Sequence, residues 1–160
     1  MNKKQHKKSA LIQILLALVP YTRQNLSLSF KPNQFFNELE KTSDQSLPTL
    51  RVAFSRAKEN KLFVINNDQV SLSLKGRQII QPFIAQKLDG NGQLMVIFDI
   101  PEDSADLRRK FRLLLIQLQF KQVQQSVWMS DKDYRAILDD SIKDMGLRDW
   151  VQLYEAARML

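Results

Sequence analysis

The stretch from Leu94 to Ser130 constrains this 160-residue chain more than any other. Leu94–Ile100 is apolar except for Asp99, and so short an apolar run reads as a buried strand. Pro101 ends it, and Asp103 or Ser104 then offers a helix N-cap. Leu107, Phe111, Leu114, Leu115 and Leu118 fall on one face of the helix that follows, with Arg108, Arg109 and Arg112 on the other. Phe120–Met129 reads as extended, with Val123, Val127 and Met129 in alternation. Strand, helix and strand in this order make half of a ferredoxin-like βαββαβ domain.

The residues beyond supply the other half. Ser130-x-x-Asp133 has the form of a capping box and predicts a helix with Tyr134, Ile137, Leu138, Ile142 and Met145 turned inward. Gly146 ends that helix, and Trp150–Tyr154 is the expected last strand.

Upstream the pattern is mostly helical. Ala10–Val19 predicts a first buried helix; the run is too short to cross a bilayer, which needs about 20 residues. Lys-rich residues 2–8 precede it in the manner of a secretory leader, but Pro20-Tyr21-Thr22-Arg23 offers no small-residue cleavage site, so no leader is expected. Phe30–Lys41 predicts a second helix, with Phe35, Phe36 and Leu39 inward. Ser46 and Pro48 mark the start of a third, which runs to about Glu59. Leu50, Ala53, Phe54 and Ala57 form its core face, and Thr49, Arg51, Ser55, Arg56 and Lys58 its opposite face. Leu62–Ile65 and Val70–Leu74 predict a hairpin, and Arg77–Leu88 a helix interrupted at Pro82. Helix, turn, helix and hairpin is the layout of a winged helix-turn-helix. The fold class expected is therefore α+β: a winged helix at residues 1–89 and a ferredoxin-like βαββαβ domain at 90–160. The boundary is placed at Asp89-Gly90-Asn91-Gly92, which holds two of the four glycines.

Charge follows the same division. Residues 1–89 carry 14 Lys and Arg against 6 Asp and Glu, whereas residues 90–160 carry 10 against 11. The whole excess of +7 therefore lies in the first part, which points to a polyanion there. There is no cysteine, so disulfides and thiolate metal sites are excluded, in keeping with a cytoplasmic location. The single histidine, His6, excludes a metal site built on two histidines of one subunit.

Phe98–Glu102 (FDIPE) after an apolar strand, the Arg-rich helix and Gln125–Trp128 (QSVW) together resemble the PaaX family, the phenylacetic-acid-degradation repressors. The middle domain of that family is similar to the small CRISPR-associated spacer-acquisition nuclease. Leu50–Phe63 resembles the family's recognition helix and the strand after it, and Ser73–Arg77 (SLKGR) its exit from the hairpin. The family has glycine where Lys61 stands, and Asn60 is expected to take over that turn. The family also carries a further C-terminal domain, which this sequence does not include.

The resemblance implies a sequence-specific, double-stranded-DNA-binding transcription regulator, a repressor acting as a homodimer. On this reading Thr49, Arg51, Ser55, Arg56, Lys58, Lys75 and Arg77 contact DNA, and no cofactor or membrane is involved. No small-molecule effector is legible. The alternative is a nuclease or CRISPR spacer-acquisition subunit with a fused winged helix. Asp99 would then be the catalytic, Mg²⁺-binding carboxylate, paired across a dimer axis; otherwise it hydrogen-bonds the amides of its turn. The dimer expectation rests on Leu94–Ile100: Leu94, Val96, Phe98 and Ile100 face one way, Met95 and Ile97 the other. A strand apolar on both faces needs cover on both, and two helices supply only one.

Overall fold

The computed structural model describes residues 8–19, 32–66 and 69–157. The chain divides into two compact units, Met1–Ile80 and Gln81–Leu160.

In the first unit, α1 (Ala10–Ala17), α2 (Pro32–Thr42) and α3 (Leu47–Glu59) precede a hairpin of β1 (Phe63–Asn66) and β2 (Gln69–Leu72). Helix α4 (Leu74–Ile84) follows it directly. Ser9 caps α1, its hydroxyl accepting from the Ile12 amide. The core takes Ile14, Leu15 and Leu18 from α1, Phe35, Phe36 and Leu39 from α2, and Leu50 and Ala57 from α3. Aromatic contacts run through it from element to element: Phe36 meets Phe54 edge-on at 5.4 Å, and Phe54 lies 4.9 Å from Phe63. Each such buried side chain stabilises the unit by about 1.5–3 kcal/mol.

Local detail departs from the sequence reading. At Ser46 the hydroxyl faces Thr49 Oγ1 at 2.9 Å and makes no capping bond, while the Leu47 amide donates to Glu40 Oε1 on α2. Asn60 keeps a negative φ of −80°. Lys61 instead takes the left-handed turn at φ 54°, so it occupies the conformation expected of Asn60. The reason is the hydrogen bonding: Asn60 Nδ2 and N both donate to the Arg56 carbonyl, which fixes Asn60 as the C-cap of α3. The fourth helix begins at Leu74 rather than Arg77 and ends at Ile84, two residues past Pro82. Ser73 caps this earlier start, accepting from the Gly76 amide at 3.1 Å.

In the second unit the order is β3 (Gly92–Phe98), a 3-10 turn (Glu102–Ser104), α5 (Ala105–Gln117), β4 (Lys121–Gln124), β5 (Val127–Ser130), α6 (Arg135–Asp144) and β6 (Val151–Ala157). The sheet order is β4-β5-β3-β6, antiparallel throughout. This is the ferredoxin-like βαββαβ arrangement expected. Leu94, Val96 and Phe98 of β3 are buried, as are Phe111, Leu114 and Leu115 of α5 and Ile137, Leu138 and Ile142 of α6. Phe98 meets Phe111 edge-on at 5.3 Å.

Three differences stand out. Phe120–Met129 is not one extended run but a hairpin that turns at Gln125-Ser126, with a bulge between Gln122 and Gln124. The capping box does not form, because Ser130 belongs to β5 and its hydroxyl accepts from the Lys132 amide. Asp133 accepts from the Arg135 amide instead, and the Arg135 guanidinium beside it holds its carboxyl below the usual range. The last strand runs from Val151 to Ala157, longer than the sequence reading.

The compact-unit division at Ile80/Gln81 lies before the expected boundary near residue 90. Residues 85–88 pair with 131–133: the Leu88 amide donates to Asp131 O, and the Asp133 amide to Gln86 O, both at 2.8 Å. Lys132 Nζ donates to the Pro82 carbonyl at 2.6 Å, and Lys87 pairs with Asp131 at 2.9 Å. The hydrogen bond from Lys87 lowers the Asp131 pKa.

Candidate nucleic-acid interface

Helix α3 forms because Pro48 pre-sets its first turn and a 3.6-residue apolar period follows. Its inner face is Leu50, Ala53, Phe54 and Ala57. At about 100° per residue, Val52, Ser55 and Glu59 lie along the middle of the outer face. Thr49 and Arg56 edge it on one side, Arg51 and Lys58 on the other. All seven are exposed. Among the described residues no ion pair ties Arg56, Lys58 or Lys75.

The expected contact residues are not equivalent. Arg51 leans back onto α2: its guanidinium sits 4.8 Å above the Phe36 ring, and Nη2 donates to Asn33 Oδ1 at 3.3 Å. Thr49 shares its hydroxyl with Ser46. Arg56, Lys58 and Ser55 stand clear on the outer face. Lys75 and Arg77 fall in the first turn of α4, just after the hairpin, with Lys75 exposed and Arg77 half-buried. Sequence reasoning missed Val52, 50% exposed in the middle of this face, and Glu59 beside it. The signal for Val52 was an apolar residue outside the core period. The Lys-rich start, Lys3, Lys4 and Lys7 with His6, lies outside the described residues.

Gly76 fixes the placement of α4 against the strand. A Cβ there would stand 2.0 Å from the Leu62 carbonyl oxygen, which already accepts from the Ser73 amide. Only a glycine allows the helix so close.

In the second unit Asp99 sits at the end of β3, exposed, and its amide donates to Trp150 O at 2.9 Å. Among the described residues its carboxylate takes no hydrogen bond from the turn that follows, unlike the expected turn-capping role, because the backbone leaves β3 through Ile100 and Pro101 before the 3-10 turn begins. Asp99 shares a small cleft with Asp149, Trp150 and Gln152. Among the described residues no group of three or more His, Cys, Asp or Glu side chains could hold a metal ion. No described helix is long and apolar enough to cross a membrane.

Residues 86–159 match the family model of the PaaX protein central Cas2-like domain. The match begins in the segment that pairs with 131–133, before the glycine-rich turn. Among solved structures, the chain is similar to the uncharacterized protein Rv0674 from Mycobacterium tuberculosis, at 20% identity and a TM-score of 0.40. The likeness covers 91% of this chain and 61% of that one, so the chain spans less than two thirds of that protein's length. No curated protein matches.

Proposed function

We propose that this protein is a transcription regulator of the PaaX type, a repressor that binds double-stranded DNA as a homodimer through a winged helix in its first unit. The observation that carries this reading is the outer face of α3. Its two edges carry Arg56 on one side and Arg51 and Lys58 on the other, and Arg56 and Lys58 have no acidic partner among the described residues. Charge without a partner on one helix face is what a helix seated in the major groove requires. The hairpin β1–β2 serves as the wing, with Lys75 and Arg77 behind it as phosphate contacts. The PaaX-type match in the second unit supports the regulator class.

The contacts divide by chemistry. Arg56 projects from the outer face and is the base reader, able to fork onto guanine O6 and N7. Arg51, held by Phe36 and Asn33, grips phosphate from a fixed position. Val52 supplies an apolar surface for a thymine methyl group.

Selection of bound sequences from random duplexes, followed by anisotropy titrations across a salt series, tests the reading. A dimer neutralising about 6–8 phosphates gives a slope of log K against log[salt] near −5 to −7. Arg56→Ala relaxes preference at one position of the selected site, whereas Lys75→Ala weakens all sequences alike. Replacing the contacted thymine by deoxyuridine weakens the wild type by about three- to tenfold and leaves Val52→Ala unaffected. Failure to bind any duplex in low salt would reject the function; indifference to every thymine methyl would reject only the role of Val52.

A further inference from the structure

Where β3 ends, the second unit opens a cleft that DNA binding leaves unused. It encloses about 340 Å³, and Asp99, Glu102, Arg108, Arg112, Gln125 and Ser126 form its polar lining. Four pieces of chain bring these groups together: the end of β3, the turn after Pro101, the first half of α5 and the β4–β5 turn. Arg108 is oriented by a 3.4 Å hydrogen bond from Nη2 to the Pro101 carbonyl. Arg112 lies over Phe98, with its guanidinium carbon 5.8 Å from the ring centroid. Its Nε is buried with no hydrogen-bond partner among the described residues. Arg109 adjoins them, and a second hollow of about 360 Å³ shares Arg108 and Arg112 with it. Among the described residues none of the three arginines has a carboxylate within ion-pair distance. Three guanidinium groups crowded along one stretch of helix repel each other, and a bound anion relieves that repulsion.

We propose that this cleft binds a small phosphorylated ligand, its phosphate held by Arg108 and Arg112 and its hydroxyl groups by Asp99 and Glu102. Planar guanidinium forks match phosphate oxygens in pairs. The volume falls within the usual range for small-molecule sites. The two carboxylates decide against a nucleic-acid backbone: a continuous run of phosphates laid along the cleft would be repelled by them. A sugar phosphate instead offers them hydroxyl donors, which ionised carboxylates accept. The site lies entirely within the residues that match the Cas2-like model.

Titration calorimetry of the full chain with ribose 5-phosphate, ribose and inorganic phosphate tests the proposal. Ribose 5-phosphate is expected to bind with a Kd below about 1 mM, inorganic phosphate more weakly and ribose not at all. Arg108→Gln, at a side chain outside the core, should weaken ribose 5-phosphate at least about tenfold with an unchanged thermal midpoint. Asp99→Asn should weaken ribose 5-phosphate while leaving inorganic phosphate unaffected. Absence of ribose 5-phosphate binding to the wild type, or binding that survives both substitutions, would overturn the proposal. So would displacement of ribose 5-phosphate by a short duplex from Lys75→Ala protein, since the backbone would then be the occupant.

Discussion

Tyr134 is fully buried beside Phe120, their ring centroids 5.4 Å apart, and its hydroxyl has no hydrogen-bond partner among the described residues. Burial, with a smaller contribution from the charge of Asp131, pushes its pKa up to about 12. An unfolded tyrosine ionises near pH 10. Between these values the unfolded chain has released the proton and the folded chain still holds it, so stability falls as pH rises. The loss should reach about 2–3 kcal/mol by pH 12, and below pH 10 this group contributes no slope. Denaturant titrations at pH 9 and pH 11, on the wild type and on Tyr134→Phe, measure it; the phenylalanine variant should lose this part of the alkaline slope. Lys61 is a second single-residue case. It holds φ 54° where the PaaX resemblance has glycine, and that conformation costs a residue with a Cβ about 1–2 kcal/mol. Lys61→Gly should therefore raise stability by about 1 kcal/mol, offset in part by the greater freedom of glycine in the unfolded chain. A thermal midpoint that falls in this variant would contradict the account.

At the scale of elements, boundaries were legible where a residue acts on its own backbone. Pro48 opens α3 as read from the sequence, because a ring-fixed φ is a local effect; Asn60 follows its end through a side-chain bond to the Arg56 carbonyl and not through the left-handed turn expected of it. The β4–β5 turn was not legible, since Gln125-Ser126 carries neither glycine nor proline, Asn or Asp, the stronger turn signals, and the reversal is set by pairing across the sheet. The capping box failed for a similar reason: the ladder with β3 claims Ser130. On the outer face of α3, proposed to bind DNA, the polar period revealed Thr49, Ser55, Arg56 and Lys58, but the bracing of Arg51 by Asn33 and Phe36 depends on how α2 packs. The arginines of α5 read only as the face opposite its apolar one, and the fold brings Asp99 and Glu102 to them. Gly76 gives the sharpest test at this scale. Gly76→Ala must drive α4 away from the Leu62 carbonyl, where its Cβ would stand at 2.0 Å. We expect a loss of about 2–3 kcal/mol, the upper part of the overpacking range, because the obstructing atom is backbone and not a movable side chain. Chemical denaturation checks it, and a loss under about 0.5 kcal/mol would show that the helix shifts freely.

For the whole molecule, the open question is what covers the sheet of the second unit opposite α5 and α6. Register places Met129, Met95 and Tyr154 in one row and Val127, Ile97 and Gln152 in the next, all on that outer face. Lys121 and Gln124 extend the two rows at the β4 edge. Met95, Ile97, Val127 and Met129 are half-buried, while Tyr154 and Val123 are 45% and 57% exposed. An apolar centre with Lys121, Gln124 and Gln152 around it has the composition of an interface core and its rim. A second copy of the same sheet is the occupant that fits, since a two-fold axis sets apolar centre on apolar centre and needs no complementary partner. It would also give the regulator two α3 helices, matching the two half-sites of a symmetric operator. Light scattering at micromolar concentration should give a dimer mass for the wild type and a monomer mass for Ile97→Lys/Met129→Glu. The substituted side chains lie on the outer face, so the far-ultraviolet circular dichroism of the variant should be unchanged. Its DNA affinity should fall by about two orders of magnitude as the second half-site loses its tethered partner. A monomeric wild type, or a variant that remains a dimer, would place the interface elsewhere.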